Sequence, residues 1–313
     1  MQTRLDLRTW KHSGPTAIIT DRTVAKLYGN ALAKQLNCPL FSVAGGEECK
    51  TRASKEMLEN ALFTAGFGSD VTIIALGGGV VSDMAGFVAA TFCRGAKLIV
   101  IPTTLLAMCD AAIGGKNGVN IGERKNAIGT YYQPDQLLID PHVLHTLPDD
   151  EYLSGTAEIL KHGLIWDQSL WQWMLSSIDA WQSRDLNFLE RCIAWNIEIK
   201  RDVIAQGKRD LLNFGHTVGH ALEMMHGMKH GMAIAKGMWL ETLWSKGYDA
   251  EIEKGLIQFG FDLEIDTDFE KLWSIMQWDK KRTSEKLYAV SLKDKALKEM
   301  TYNGLYKHLS PAP

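Results

Sequence analysis

Short apolar runs alternate with amphipathic stretches through the first half of the chain. TAIIT (16–20), PLFSVA (39–44), VTIIAL (71–76) and KLIVIP (97–102) are almost unbroken apolar segments, the pattern of strands buried on both faces of a parallel sheet. Between them, TVAKLYGNALAKQL (23–36) and KTRASKEMLENALFTAG (50–66) repeat apolar residues three and four apart, which is the helical period. Strand–helix alternation at this spacing predicts βαβ units in a doubly wound parallel α/β domain, with LLID (137–140) as one more strand. From about Asp149 the texture changes. Leu, Trp, Met and Ile recur at spacings of three and four, and strand runs nearly vanish, so a mainly α-helical domain is expected with KLYAVSL (286–292) as a late strand. The loop TLPDDEY (146–152) is the expected boundary, giving an α/β domain over 1–148 and a helical domain over 149–313.

Composition narrows the partners. A chain of 313 residues suits about two domains. Its 34 Lys and Arg against 37 Asp and Glu leave a net charge of −3, which argues against nucleic acid or an anionic membrane as the main partner. The cysteines, Cys38, Cys49, Cys93, Cys109 and Cys192, form no CxxC pair. That argues against a disulfide framework or a thiolate zinc site and fits a reducing compartment. No segment approaches the roughly 20 apolar residues of a membrane span, and the N-terminus does not read as a signal peptide. A soluble cytoplasmic protein is expected.

Three segments carry candidate chemistry. In VTIIALGGGVVSDMAGFVAATF a buried strand ends in Gly77, Gly78 and Gly79 and a helix follows. Such a turn lets backbone approach a ligand and offers helix N–H groups to a phosphate or nucleotide; a tight turn with nothing bound is the alternative. The run at 102–134 combines Thr103, Thr104, Asp110, Lys116, Lys125 and Asn126 with several glycines and reads as a long irregular connection carrying function. LNFGHTVGHALE sets His216 and His220 four apart on one helix face, and His230 follows fourteen residues after His216. Two imidazoles and a carboxylate make a common catalytic zinc set, with Glu158 in GTAEILKHG as the candidate third ligand. Ordinary core or surface histidines are the alternative, and His145, His162 and His226 are read that way. Without HExxH a metalloprotease is not expected.

Read together, GGGVVSDMAGFVAATFCRG, IPTTLLAMCDAAIGGKNGVN, KNAIGTYYQP, TLPDDEYLSGTAEILKHG, LLNFGHTVGHALE, HGMAIAKGM and, more weakly, MQWDKKR (276–282) resemble the 3-dehydroquinate synthases and, more broadly, the sugar phosphate cyclases. The resemblance runs in order along nearly the whole chain. It implies an NAD-dependent, zinc-containing (or cobalt-containing) homodimer with an N-terminal nucleotide domain and a helical metal domain. It further implies Glu158, His216 and His230 as metal ligands, and Asp110, Lys161, Lys200, Asn213 and His220 around the substrate hydroxyls and carboxylate. Lys116, Asn126 and Arg209 would hold its phosphate or acid group, Lys280 or Lys281 would add a cationic contact, and Arg94 would reach the neighbouring subunit. The implied NAD set is Asp21, Glu47, Lys50, Gly78, Gly79, Asp83, Thr103, Thr104 and Lys125.

The implied reaction cyclises 3-deoxy-D-arabino-heptulosonate 7-phosphate to 3-dehydroquinate with loss of phosphate, a step of the shikimate pathway to aromatic amino acids, through transient NAD reduction. That reaction would make the chain a carbon–oxygen lyase. Another sugar phosphate cyclase, or a metal-dependent polyol or glycerol phosphate dehydrogenase, is the alternative, and a catalytically dead scaffold would need losses at the metal or glycine positions. The chain departs from the family pattern in three places. An acidic segment before Arg209 is shortened to KRDVIAQGKR, Met232 stands where a Glu usually follows His-Gly, and Thr23 replaces an Asn near the ribose contact.

Overall fold

The computed structural model describes residues 2–122, 124–280 and 286–307. The chain divides into two compact units between Leu147 and Pro148.

In the first unit the apolar runs form strands as their pattern predicts: β2 (Thr16–Asp21), β3 (Leu40–Val43), β4 (Thr72–Gly77), β5 (Lys97–Pro102) and β8 (Gln136–Ile139). A short β1 (Gln2–Arg4), not expected from the sequence, pairs with the edge of β8. All pairings are parallel, in the order β1-β8-β5-β4-β2-β3. Every residue of β4 is buried, because helices such as Arg52–Thr64 and Gly79–Thr91 cover the sheet. From β2 the chain turns outward to β3, then returns to β4 and builds the other way. The reversal therefore lies between β2 and β4, the place where open α/β sheets leave a crevice at the strands' carboxyl ends. Asp21 ends one of these strands and Gly77 the other.

The run at 102–134 is not the irregular connection expected. It holds a π-turn at Ala107–Ala111 and an antiparallel hairpin, β6 (Lys116–Ile121) with β7 (Arg124–Tyr131). Alternation is missing from its sequence because the hairpin buries little besides Gly118 and Val119. Instead it docks on the Gly79–Thr91 helix through Asn117, whose carboxamide donates to the carbonyls of Gly115 at 3.0 Å and Tyr132 at 2.9 Å and occupies the space a side chain on Gly86 would need.

The second unit is helical, with one antiparallel hairpin, β9 (Tyr288–Ser291) and β10 (Ala296–Glu299), the latter unforeseen. Its first helix, Asp149–Ile165, begins inside the segment read as a boundary loop. Pro148 followed by Asp149, Asp150 and Glu151 is a helix start, since acidic groups in a first turn complement the helix dipole. The helices His216–His226 and His230–Ser245 pack against each other, and Val218, Leu222 and Leu240 share a core with Leu272, Met276 and Ala289. Their approach is set by Gly237: a Cβ there would collide with the backbone carbonyl oxygen of Gly215. Among the described residues no helix is long and apolar enough to cross a membrane.

Because the obstruction at Gly237 is backbone rather than a movable side chain, Gly237→Ala is expected to cost about 3 kcal/mol. Urea unfolding, with a midpoint lowered at unchanged slope, measures this.

Candidate active site

In the second unit the structure assembles a cluster around one buried carboxylate. Glu158 has no solvent exposure. One of its oxygens, Oε1, lies 3.4 Å from His216 Nε2 and 3.2 Å from His230 Nε2; the other accepts from the Lys161 ammonium, itself buried on the next turn of the helix. Burial would push the Glu158 carboxyl up, but the charge of Lys161 and the imidazoles of His216 and His230 outweigh it and hold the group well below the ordinary carboxylate range.

Each histidine is aimed from behind. His216 Nδ1 donates to the Phe214 carbonyl at 3.0 Å, which turns Nε2 toward Glu158. His230 Nδ1 lies 3.5 Å from Glu223 Oε2. Burial works against the His230 cation, yet Glu158 and Glu223 together raise its pKa to about 9. Glu223 was not singled out by sequence reasoning, although it ends the LNFGHTVGHALE motif. It stands behind His230 in this chain, so Met232 does not leave this imidazole without a carboxylate partner. Glu241, fully buried, is a second residue missed. It accepts from the Gly215 N–H at 2.9 Å and caps the start of the His216 helix. The other histidine helix meets the Glu158 helix where Gly231 lies against Ser154, leaving no room for a Cβ.

Glu158, His216 and His230 can each present one ligand atom, all within 4.8 Å of one another. A carboxylate with two imidazoles is a zinc-type donor set with coordination positions left for substrate. The His220 ring packs edge-on against His216 at 5.1 Å and lies 6.2 Å from His230, so it borders the cluster. Lys200 is buried on the Leu186–Ala205 helix. That helix ends in a left-handed turn at Gly207, with the Lys208 N–H returning to the Val203 carbonyl. The shortened segment thus closes with a single acidic residue, Asp202, whose Oδ1 accepts from Gln206 Nε2 at 2.9 Å, and half-buried Arg209 begins a 3-10 turn that ends at exposed Asn213. His162 is a core histidine, its Nδ1 2.9 Å from Asn196 Oδ1. Lys280 ends the Phe269–Lys280 helix, and Lys281 lies outside the described residues.

In the first unit Gly78 and Gly79 open the Gly79–Thr91 helix with no side-chain cap, so its first N–H groups are offered outward. Thr103, which follows β5, donates its N–H to the Gly77 carbonyl at 2.9 Å, while its buried hydroxyl has no hydrogen-bond partner. A buried hydroxyl without a partner beside an uncapped helix start fits a polar ligand at this crevice. Asp21 and Thr104 have local tasks as well: each caps a helical turn, Asp21 through Thr23 N and Val24 N and Thr104 through Ala107 N.

Four of the expected residues are drawn into one network. Buried Lys50 bridges Asp83, at 2.5 Å, and the side-chain oxygen of Asn126. Asn120 links Glu47 to Asn126, with bonds of 2.8 and 2.7 Å. Lys116 and Lys125 are exposed on the hairpin, and Asp110 is half-buried in the π-turn. Arg94 is exposed in a turn where both it and Cys93 have positive φ, 68° and 50°.

Residues 40–154 match the family model described as 3-dehydroquinate synthase N-terminal, and residues 155–282 the one described as 3-dehydroquinate synthase C-terminal. The 3-dehydroquinate synthase of Acidithiobacillus ferrooxidans is 42% identical over 249 residues, 75% of this chain and 68% of that protein. Among solved structures, 2-epi-5-epi-valiolone synthase from Streptomyces hygroscopicus, with NAD+ and Zn2+ bound, superposes with a TM-score of 0.83 at 23% identity, covering 94% of this chain and 89% of that one. A 2-deoxy-scyllo-inosose synthase complexed with carbaglucose-6-phosphate, NAD+ and Co2+ gives 0.80 at 22% identity with the same coverage. At these identities the two structures establish the shared fold, while the two family models span most of the sequence: the chain belongs to the 3-dehydroquinate synthase family.

Proposed function

We propose that this chain cyclises 3-deoxy-D-arabino-heptulosonate 7-phosphate to 3-dehydroquinate with release of phosphate, using NAD and a divalent ion, zinc in the first instance. The observation that carries the reading is the buried Glu158 carboxylate held against the Nε2 atoms of two oriented histidines, in a chain of this family. Zinc, when bound, polarises a substrate hydroxyl, and NAD takes up and returns hydride. Glu158, His216 and His230 hold the ion. Gly78, Gly79, Thr103, Thr104, Asp83, Lys50, Glu47, Asp21 and Lys125 hold NAD.

The remaining residues bind and move protons. Lys116, Asn126 and Arg209 take the phosphate or acid group through charge-assisted hydrogen bonds, with Lys280 or Lys281 as a further cation. Asp110 and Asn213 orient hydroxyls. Lys161, Lys200 and His220 exchange protons with the substrate; Lys161, on the same helix as Glu158, also balances the charge of that ligand. Arg94, presented by a turn with two left-handed residues, enters the site of a second copy in a homodimer. Glu223 keeps His230 Nε2 turned toward the ion by accepting from Nδ1.

The activity assay follows inorganic phosphate and NADH together. Phosphate released stoichiometrically from the heptulosonate phosphate, dependent on NAD and abolished by a chelator, with no accumulation of NADH, is the expected result. NADH produced in step with substrate loss would mark a dehydrogenase instead. Glu158→Ala and His230→Ala are each expected to abolish turnover and to lose zinc by elemental analysis; full metal content with full activity in both would overturn the ligand assignment. Glu223→Ala should weaken zinc binding about 10- to 100-fold in a chelator-competition titration, and Glu223→Gln, which keeps an acceptor, should recover most of it.

A further inference from the structure

Asn120, on the hairpin, has no part in the assignments above. Asn120 sits in β6 where the pairing register slips between Val119 and Ile121, the kind of bulge that redirects a side chain. Its Nδ2 donates to Glu47 Oε1 at 2.8 Å, its Oδ1 accepts the Asn126 N–H at 2.7 Å, and its own N–H donates to the Lys50 carbonyl at 2.8 Å. Asn126 has a left-handed backbone, φ 52°, a conformation that costs L residues energy and that Asn tolerates better than most. Its side-chain oxygen in turn accepts from the Lys50 ammonium. The ring is closed: Glu47, Asn120, Asn126 and Lys50 fix one another.

We propose that Asn120 is a positioning residue that couples the NAD side of the site, through Glu47, to the side that takes the substrate's acid group, through Asn126. The inference rests on the reading of Glu47 and Asn126 given above. Only a carboxamide fits the place, because one planar group must donate to a carboxylate and accept from a backbone N–H. An aspartate could still accept from Asn126 but would repel Glu47. An alanine would release both, leaving the Glu47 rotamer and the strained Asn126 backbone each without this support.

Substitutions separate the two arms. NAD affinity is measured by calorimetry, KM for the heptulosonate phosphate by phosphate release, and stability by urea midpoint. Asn120→Ala is expected to raise both the NAD Kd and KM about three- to tenfold, the scale of one lost hydrogen bond in each arm, with the urea midpoint near that of the parent. Asn120→Asp is expected to raise the NAD Kd at least as much while KM stays within about twofold, because the acceptor for Asn126 survives. Unchanged constants in Asn120→Ala would overturn the coupling. So would equal rises in both constants in the two variants together with lowered urea midpoints, which would mark a purely structural residue. Glu47→Ala and Asn126→Ala serve as references: if these leave the NAD Kd and KM at parental values, the underlying assignment fails and the coupling with it.

Discussion

A carboxylate with no access to water governs the second unit. Glu158 is fully buried, and an ionised carboxylate in that position is tolerable only with opposite charge and hydrogen-bond donors packed directly on it. Lys161 comes from the same helix, but His216 and His230 come from two others. The ionised state of Glu158 therefore depends on three helices meeting within a narrow tolerance. The small residues at Ser154, Gly231 and Gly237 provide the approach, and Glu241 ties the start of the His216 helix to the neighbouring one. Packing and the geometry around Glu158 are here a single requirement.

The first unit solves a different problem. Its sheet is largely apolar, and the candidate chemistry lies where strands end. The strand order reverses between β2 and β4, where open α/β sheets leave a crevice; the Gly79–Thr91 helix that follows β4 starts without a side-chain cap, and the buried Thr103 hydroxyl has no hydrogen-bond partner. The hairpin is fastened by Asn117 at one end and by the Lys50, Asn120 and Asn126 bonds at the other. Lys50 is the most buried member, and its ammonium spans residues far apart in sequence.

The hairpin marks where sequence reasoning fell short. β4 and β5 announce themselves by continuous apolar runs, since both faces are covered. β6 and β7 show no such pattern, because most of their side chains are in water and their anchoring depends on Asn117, Asn120 and Asn126 meeting particular partners. Asn residues in a glycine-rich run look like loop composition. Glu223 and Glu241 were equally hard to see: each lies at an ordinary helical position, and its meaning arises from which imidazole or helix end it faces. The departure at Met232 was legible as a difference, but its consequence was not, because a residue seven positions before His230 occupies the place behind it.

From the sequence alone came the strand–helix alternation, the change to helical texture near Asp149, and the residue types of a zinc set in Glu158, His216 and His230. These follow from local periodicity and from chemistry that few side chains can perform. The tertiary structure decided that Glu158 is buried and ionised, that Glu223 rather than a neighbour in sequence backs His230, and that Asn120 joins Glu47 to Asn126. Burial, charge pairing and two-sided hydrogen bonds are properties of residues brought together across long stretches of chain, so no window of sequence contains them.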